Sequence, residues 1–247
     1  MISFCNNKNK KISDFSFLEV DMHNHILPGI DDGASSVQDS LILMQELKKL
    51  GFSKIIPTPH IIDTIYPNSQ HTINNSYLNL TTNLDFDKLN LPEIVSFSAE
   101  YYLDSSFTHL RKNNQLIHFG DKNILIEMSY LNISQNVEEE IFQLQLLGFQ
   151  PILAHPERYN YLQNNMNYIQ KLVGMGCHLQ LNLLSLVNHY GKNIRKTAKY
   201  LLDHKLYHWA GTDVHNLKHI HLLNQLLNDK MMYKILDYPF YNKTLVQ

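Results

Sequence analysis

The chain has 247 residues, 44% hydrophobic and 18% charged, with a formal net charge of −2. It is long enough for a sizeable core, and its near-neutral balance excludes the strongly basic surface that nucleic-acid binding requires. The only cysteines, Cys5 and Cys177, exclude a disulfide framework and a Cys-rich zinc site and point to a reducing cytoplasm, while no apolar run reaches the length of a transmembrane segment.

Residues 1–16 are mostly polar, carry a basic stretch at Lys8–Lys11 and read as a loosely held extension, without the apolar segment of a signal peptide. Phe17–Met22 is the first predicted strand. It runs into Asp21–Gly33, DMHNHILPGIDDG. Side chains alternate along a strand, so His23 and His25 share a face. Pro28 and Gly29 then turn the chain, and the turn can bring Asp31 or Asp32 back toward the two imidazoles. An isolated His-x-His pair is more often ordinary than functional, but this one is not isolated.

Ser36 and Asp39 resemble a capping box, and Val37, Leu41, Met44 and Leu47 follow helical spacing up to Gly51. Phe52–Pro57 is a second strand, followed by Thr58-Pro59-His60. A helix is expected over Thr72–Leu84. Ile94–Ala99 is a third strand ending in Glu100, and Ile124–Ile126 a fourth ending in Glu127. Val137–Leu147 is an amphipathic helix with an acidic first turn. Pro151–Ala154 is a fifth strand, followed by His155-Pro156-Glu157-Arg158. Tyr161–Val173 is a helix, His178–Leu183 a sixth strand, and Ile194–His204 a helix. Tyr207–Ala210 is a seventh strand, leading into Gly211-Thr212-Asp213-Val214-His215, and Leu217–Asn228 is the last helix.

Strands alternating with helices imply parallel sheet. No repeat or low-complexity linker divides the chain, so a single domain is expected over 1–247. A doubly wound sheet would serve its ligand from one crevice. Here candidate ligands recur at the ends of most strands, as in a barrel whose loops open on one side. The expectation is an α/β fold of (β/α)-barrel type with its site at the C-terminal ends of the strands.

The candidate donors are His23, His25, Asp31 or Asp32, His60, Glu100, Glu127, His155, Asp213 and His215. Carboxylates directly after buried strands are costly unless paired or metal-bound, and imidazole with carboxylate suits zinc, manganese or iron. Nine such groups exceed the needs of one ion. Two or three ions bridged by Glu127 or Asp213 would use the set, lower the pKa of a bound water and clamp anionic oxygens, which points to phosphate-ester hydrolysis. Arg158, three residues after His155, can grip phosphate through its planar fork. His71, His109, His189 and His221 read as surface residues. No Gly-x-Ser-x-Gly elbow, Gly-rich phosphate loop or Cys-based phosphatase loop is present. Tyr101, Tyr102, Tyr130 and Tyr159, close to the donors in sequence, favour an aromatic substrate.

The stretches DMHNHILPGIDDGA, TPH, SAEYYLD, ILIEM, AHPERY and GTDVHN, running in order between Leu18 and Leu217, resemble the bacterial metal-dependent protein-tyrosine phosphatases of the polymerase-and-histidinol-phosphatase superfamily. The resemblance implies a distorted seven-stranded (β/α) TIM-like barrel and a trinuclear site, usually described with manganese; iron, cobalt and zinc are alternatives. It also implies phosphotyrosine hydrolysis on the tyrosine-rich tail of a membrane-bound bacterial tyrosine kinase that controls capsule or exopolysaccharide synthesis, and hence work in the cytoplasm at the inner membrane face. Carried over by position, it makes His23, His25, Asp32, His60, Glu100, Glu127, His155, Asp213 and His215 the metal ligands and Arg158 the phosphate-binding group. Some members of that family carry a further arginine after the Asp-x-His motif. Here the stretch is Asn216-Leu217-Lys218-His219-Ile220, which leaves Lys218 or His219 for that role. Two rival readings are a phosphatase for small esters such as histidinol phosphate and a metal-loaded regulatory protein with little turnover.

Overall fold

The computed structural model describes residues 12–82, 84–134, 136–163 and 165–246; Cys5 and the basic stretch Lys8–Lys11 lie outside them. Nine short strands form among the described residues: β1 (Val20–Asp21), β2 (Lys54–Ile55), β3 (His60–Ile61), β4 (Glu93–Ile94), β5 (Glu100–Tyr102), β6 (Asn123–Glu127), β7 (Gln150–Ala154), β8 (His178–Asn182) and β9 (Trp209–Gly211). Every pairing between them is parallel, in two sheets ordered β1-β2-β4 and β3-β5-β6-β7-β8-β9.

The pairing is therefore two ladders, where one continuous ladder of seven strands was expected. Pro57 and Pro59 explain the break. Neither has an N–H to donate, so the pass that contains β2 and β3 is interrupted between them. Single bonds still cross the gap: Thr58 N–H donates to Asn24 O at 2.9 Å, Ser98 N–H to Pro57 O at 2.9 Å and Glu100 N–H to Pro59 O at 3.0 Å. The first and last passes also meet. Asn24 and Val214 form a parallel bridge, Asp213 N–H donates to His23 O at 2.8 Å and His25 N–H to Val214 O at 3.0 Å. The sheet is thus strongly curled, with its carboxyl ends gathered on one side.

Helices α1 (Val37–Lys49), α2 (Gln70–Thr81), α3 (Ser105–Lys112), α4 (Val137–Leu146), α5 (Met166–Gly174), α6 (Lys192–Asp203), α7 (Leu217–Leu226) and α8 (Met232–Ile235) connect and flank the strands. Ser36 caps α1 by accepting the Asp39 N–H, as its spacing predicted. Helix α2 starts earlier than expected, because Ser69 and Thr72 form a reciprocal capping box, and it ends sooner, at Thr81, where Thr82 turns to extended backbone. Helix α5 begins at Met166 rather than Tyr161: the Tyr161 hydroxyl is tied to Ser129 O at 2.6 Å, and residues 160–163 turn instead of coiling. Residues 12–16 do not trail into solvent as a tail. Phe15 is fully buried and stacks on Phe52, ring centroids 5.8 Å apart.

Most buried apolar side chains form one core between sheet and helices. A smaller cluster fills the inside of the curl, including Val20, Met22, Ile56, Leu125, Ile152 and Ala154. Leu125 points inward there, so Glu127, two residues on, faces the same side. The carboxylate that ends β6 is thereby aimed over the mouth of the curl.

Candidate metal centre

Five imidazoles and four carboxylates meet at the carboxyl ends of the strands, in overlapping sets whose donor atoms lie within 4.8 Å of one another. The sets are His25, Asp32, His60 and His215; His23, His155 and Asp213; His23, His25 and Glu100; and His60, Glu100 and Glu127. All nine positions that the sequence singled out are brought together. The two aspartates of the turn divide the work. Asp31 accepts from His25 Nδ1 at 2.8 Å, from Gly33 N–H at 2.9 Å and from His60 N–H at 3.1 Å. Asp32 faces the cluster, its Oδ1 lying 3.4 Å from His215 Nε2 and 3.6 Å from His60 Nε2.

Close backbone approach makes this geometry available. A Cβ on Gly211 would lie 2.6 Å from the His23 Cβ, and one on Gly33 would collide with the His25 backbone. His155 and Asp213 hold left-handed backbone, at φ 32° and 52°, a costly conformation for non-glycine residues that concentrates where side chains must be aimed.

The donors are oriented from behind. His23 Nδ1 donates to Gln180 Oε1 at 3.0 Å, turning Nε2 toward Glu100 Oε2 at 3.3 Å and Asp213 Oδ1 at 3.5 Å. His25 Nε2 lies 3.3 Å from Asp213 Oδ1. His155 Nε2 lies 2.9 Å from Glu100 Oε1, and His60 Nδ1 lies 3.1 Å from Glu100 Oε2. Asn182 donates to Asp213 Oδ2 at 2.7 Å. Such partners fix tautomer and direction and raise ligand basicity. Glu157 is fully buried and anchors the turn between His155 and Arg158: it accepts from Asn182 N–H at 3.0 Å, Ser185 Oγ at 2.8 Å and Tyr207 Oη at 2.8 Å.

Crowding like charges has electrostatic consequences. Burial, then the neighbouring Glu100 charge, pushes Glu127 well above the usual carboxylate range. Burial works the same way on Asp213, but His23, His25 and His215 around it hold its carboxyl well below that range. Burial, then the Arg158 charge, lowers His155 to about 4, so its imidazole is neutral at pH 7. Among the described residues, five buried side-chain atoms lack a hydrogen-bond partner, and three of them, Glu100 Oε2, His60 Nδ1 and His155 Nδ1, belong to this cluster. Buried polar atoms are normally satisfied. Orphans concentrated among imidazoles and opposed carboxylates fit a divalent cation of the manganese, iron or zinc kind.

The cluster floors a cavity of about 600 Å³. Arg158 stands in its wall, with Nη1 2.8 Å from Asp213 Oδ2. Its guanidinium is sandwiched between Tyr190, 4.2 Å from the ring centroid, and Tyr130, at 5.1 Å. Of the tyrosines expected near the site, Tyr102 and Tyr130 line the cavity, whereas Tyr101 and Tyr159 are fully buried. Tyr66, which stacks on His60 at 5.7 Å, and Tyr190 are wall residues the sequence reading missed. The sequence reading also missed the orienting groups Gln180 and Asn182, which lie behind the donors, although two polar residues alternating in a buried strand were a legible signal. Lys218 is not brought to the cavity. It is exposed in the first turn of α7, while His219 reaches the lining. His189, expected at the surface, is half-buried against His219, ring centroids 5.2 Å apart.

Fold and site together define a class: parallel α/β proteins that collect a candidate polynuclear metal centre at the carboxyl ends of a curled sheet. The chain belongs to the capsular polysaccharide synthesis CpsB/CapC family, whose profile matches residues 19–223. It is similar to the tyrosine-protein phosphatase YwqE of Bacillus subtilis, 30% identical over 200 residues that cover 81% of this chain and 78% of the relative. It is also similar to the tyrosine-protein phosphatase CpsB of Streptococcus agalactiae, 29% identical over 206 residues covering 80% of this chain and 83% of the relative. Among solved structures, one described with YwqE from Bacillus subtilis and CpsB from Streptococcus pneumoniae as unique metal-dependent tyrosine phosphatases superposes with a TM-score of 0.78 and 27% identity, covering 91% of this chain and 90% of that one.

Proposed function

We propose that this chain is a metal-dependent protein-tyrosine phosphatase. The observation that carries the reading is the meeting, in one cavity, of nine His and carboxylate donors with orphaned atoms among them and one arginine in the wall. Family membership and the names of the relatives support it. His23, His25, Asp32, His60, Glu100, Glu127, His155, Asp213 and His215 would hold two or three divalent ions, with manganese the first candidate. Bound cations supply hydroxide at neutral pH and neutralise phosphate oxygens.

The chain's own groups do the rest. Arg158 presents a planar pair of N–H donors to the phosphate oxygens as charge spreads over them. Tyr130 and Tyr190 hold its plane. Tyr66, Tyr102 and Tyr130 offer aromatic faces to the ring of a phosphotyrosine. Gln180 and Asp31 keep His23 and His25 in the tautomer that leaves Nε2 free. We read the curled sheet as a single-domain, distorted seven-stranded barrel, since its first and last passes meet at Asn24 and Val214. The proposed protein substrate is the tyrosine-rich tail of a bacterial tyrosine kinase, met in the cytoplasm at the inner membrane face; no described helix is long and apolar enough to cross a membrane.

Assay of a phosphotyrosine peptide and of histidinol phosphate, each with metal, with chelator and after readdition of manganese, tests the reading. Chelatable hydrolysis of the peptide well above that of histidinol phosphate is expected. Preference for histidinol phosphate would make the enzyme a small-ester phosphatase. Metal binding without turnover of either would make it a regulatory protein.

A further inference from the structure

Beside the phosphate cavity, a groove of about 310 Å³ lies between the start of α1 and the start of α7. Ala34, Ile42, Leu43 and Leu217 give it apolar walls, and its inner wall is His215 and Asn216. Those two residues also line the phosphate cavity. The two hollows thus share a wall, and one of its two residues, His215, belongs to the donor cluster.

Two large side chains in this groove are left in water by the fold. Ile42 is 42% exposed and Leu217 52% exposed. Single exposed apolar residues are ordinary. Here they come from two different helices and face one concavity, and Leu43, buried in the core, forms part of its floor. The lip carries Asp39, whose carboxylate accepts from the Ser35 and Ser36 hydroxyls and has no cation paired with it among the described residues. The groove therefore favours an apolar group and repels an acidic one.

We propose that the groove is a subsite for an apolar side chain of the substrate polypeptide, one or two residues from the phosphotyrosine. This rests on the phosphatase reading above. Successive Cα atoms are about 3.8 Å apart, and alternate side chains of an extended peptide share a face. For a chain that leaves the phosphotyrosine over the shared His215 and Asn216 wall, this groove is the next hollow on its path. An aliphatic or aromatic side chain there covers Ile42 and Leu217 and removes apolar surface from water. The enzyme then reads the neighbourhood of the phosphotyrosine as well as the phosphate itself.

The test is a set of phosphotyrosine peptides carrying Leu, Gly or Glu at each of the two positions before and after the phosphotyrosine, with p-nitrophenyl phosphate as a small ester that cannot reach the groove. For the manganese-loaded wild type, Leu at one of these positions should raise kcat/KM about 10-fold over Gly, the equivalent of one well-buried side chain, and Glu there should be the poorest. Ile42→Ser and Leu217→Ser should erase the Leu preference while keeping metal content and turnover of p-nitrophenyl phosphate. Turnover of the small ester with no side-chain preference at any position overturns the subsite and leaves the phosphatase reading intact. An unaltered Leu preference in both variants, or an equal loss on peptide and small ester, likewise overturns it. Absence of turnover on every substrate overturns the phosphatase reading and the subsite with it.

Discussion

At the amino ends of β8 and β9, His178 and His208 lie ring on ring, with centroids 4.1 Å apart and planes 12° from parallel. Beyond the carboxyl end of β9, Asp213 and His215 belong to the nine-donor cluster. Both ends hold clustered histidines, half-buried at the amino ends and mostly buried at the carboxyl ends, and they differ in what the ring nitrogens face. His178 Nδ1 accepts from the Trp209 indole N–H at 3.2 Å and His208 Nδ1 from Leu179 N–H at 3.2 Å. No carboxylate pairs with either ring among the described residues. At the other end, imidazole nitrogens point at carboxylates and some buried donor atoms have no partner at all. A histidine whose Nδ1 is taken by a neighbouring N–H acts as a packing unit; one aimed at carboxylates with orphaned atoms is placed to act as a ligand. Histidine count alone, 14 in this chain, does not separate the two.

Paired substitutions at the two ends test this most severely. His23→Ala with His25→Ala should abolish phosphatase activity and cut the divalent metal retained after gel filtration, measured by mass spectrometry. His178→Phe with His208→Phe should keep both metal and most of the activity. Equal metal content in the two double variants would erase the distinction between the ends.

The arginine comes next in size. Arg158→Ala should lower kcat/KM by about 2–4 kcal/mol, the loss typical of one transition-state donor. Arg158→Lys should recover only part, because an ammonium is a point charge without a planar fork. Lys218→Ala should cost less than half as much, since that side chain stands outside the cavity. Arg158 also touches Asp213, so metal content must be measured in each variant. A near-wild-type Arg158→Ala would move the phosphate clamp elsewhere.

Residues that only orient ligands should have intermediate effects. Gln180→Leu removes the acceptor for His23 Nδ1 and should weaken metal affinity about 10- to 100-fold by chelator competition. Asp31→Asn leaves a carbonyl oxygen for His25 Nδ1 and should weaken it less. Unchanged affinity in Gln180→Leu would mean that packing alone sets the His23 tautomer.

These classes of residue differ in how far the sequence revealed them. Eight of the nine donors were legible because each lies at or just beyond the end of an apolar strand, and position at the end of a strand carries spatial information. The choice between Asp31 and Asp32 was not, since adjacent residues in a turn separate only when the chain around them is placed. The break between β2 and β3 was written in Pro57 and Pro59. Helix α3 was missed although Asp104, which caps it through the Ser106 and Phe107 N–H groups, was a readable start signal. Phe15, alone among polar neighbours, gave no periodicity. The pair of His178 and His208 could not be seen at all, because stacking across neighbouring strands has no spacing rule within either one.

That pair yields the smallest expected effect, and its sign follows from the hydrogen bonds. Both Nδ1 atoms act as acceptors, so protonation there would break the Trp209 and Leu179 contacts. Burial, then the neighbouring His208 charge, lowers His178 to about 4, and burial lowers His208. An unfolded histidine titrates near pH 6.5. Between about pH 6.5 and 4 the unfolded chain therefore binds more protons at His178 than the folded one, and the lowered His208 acts in the same direction, so stability falls as the pH falls through that window. The contribution is present above pH 6.5 and gone below about pH 4. Both rings are partly exposed to water, so the slope is shallow. Because the candidate metal donors titrate as well, the informative quantity is the difference between wild type and His178→Phe with His208→Phe, taken from urea unfolding at each pH. The stability of the wild type relative to the variant should decline steadily from pH 7 to pH 4. Parallel curves would mean that the stack is as tolerant of charge as a surface pair, and that the two ends of the strands differ less than their hydrogen bonds imply.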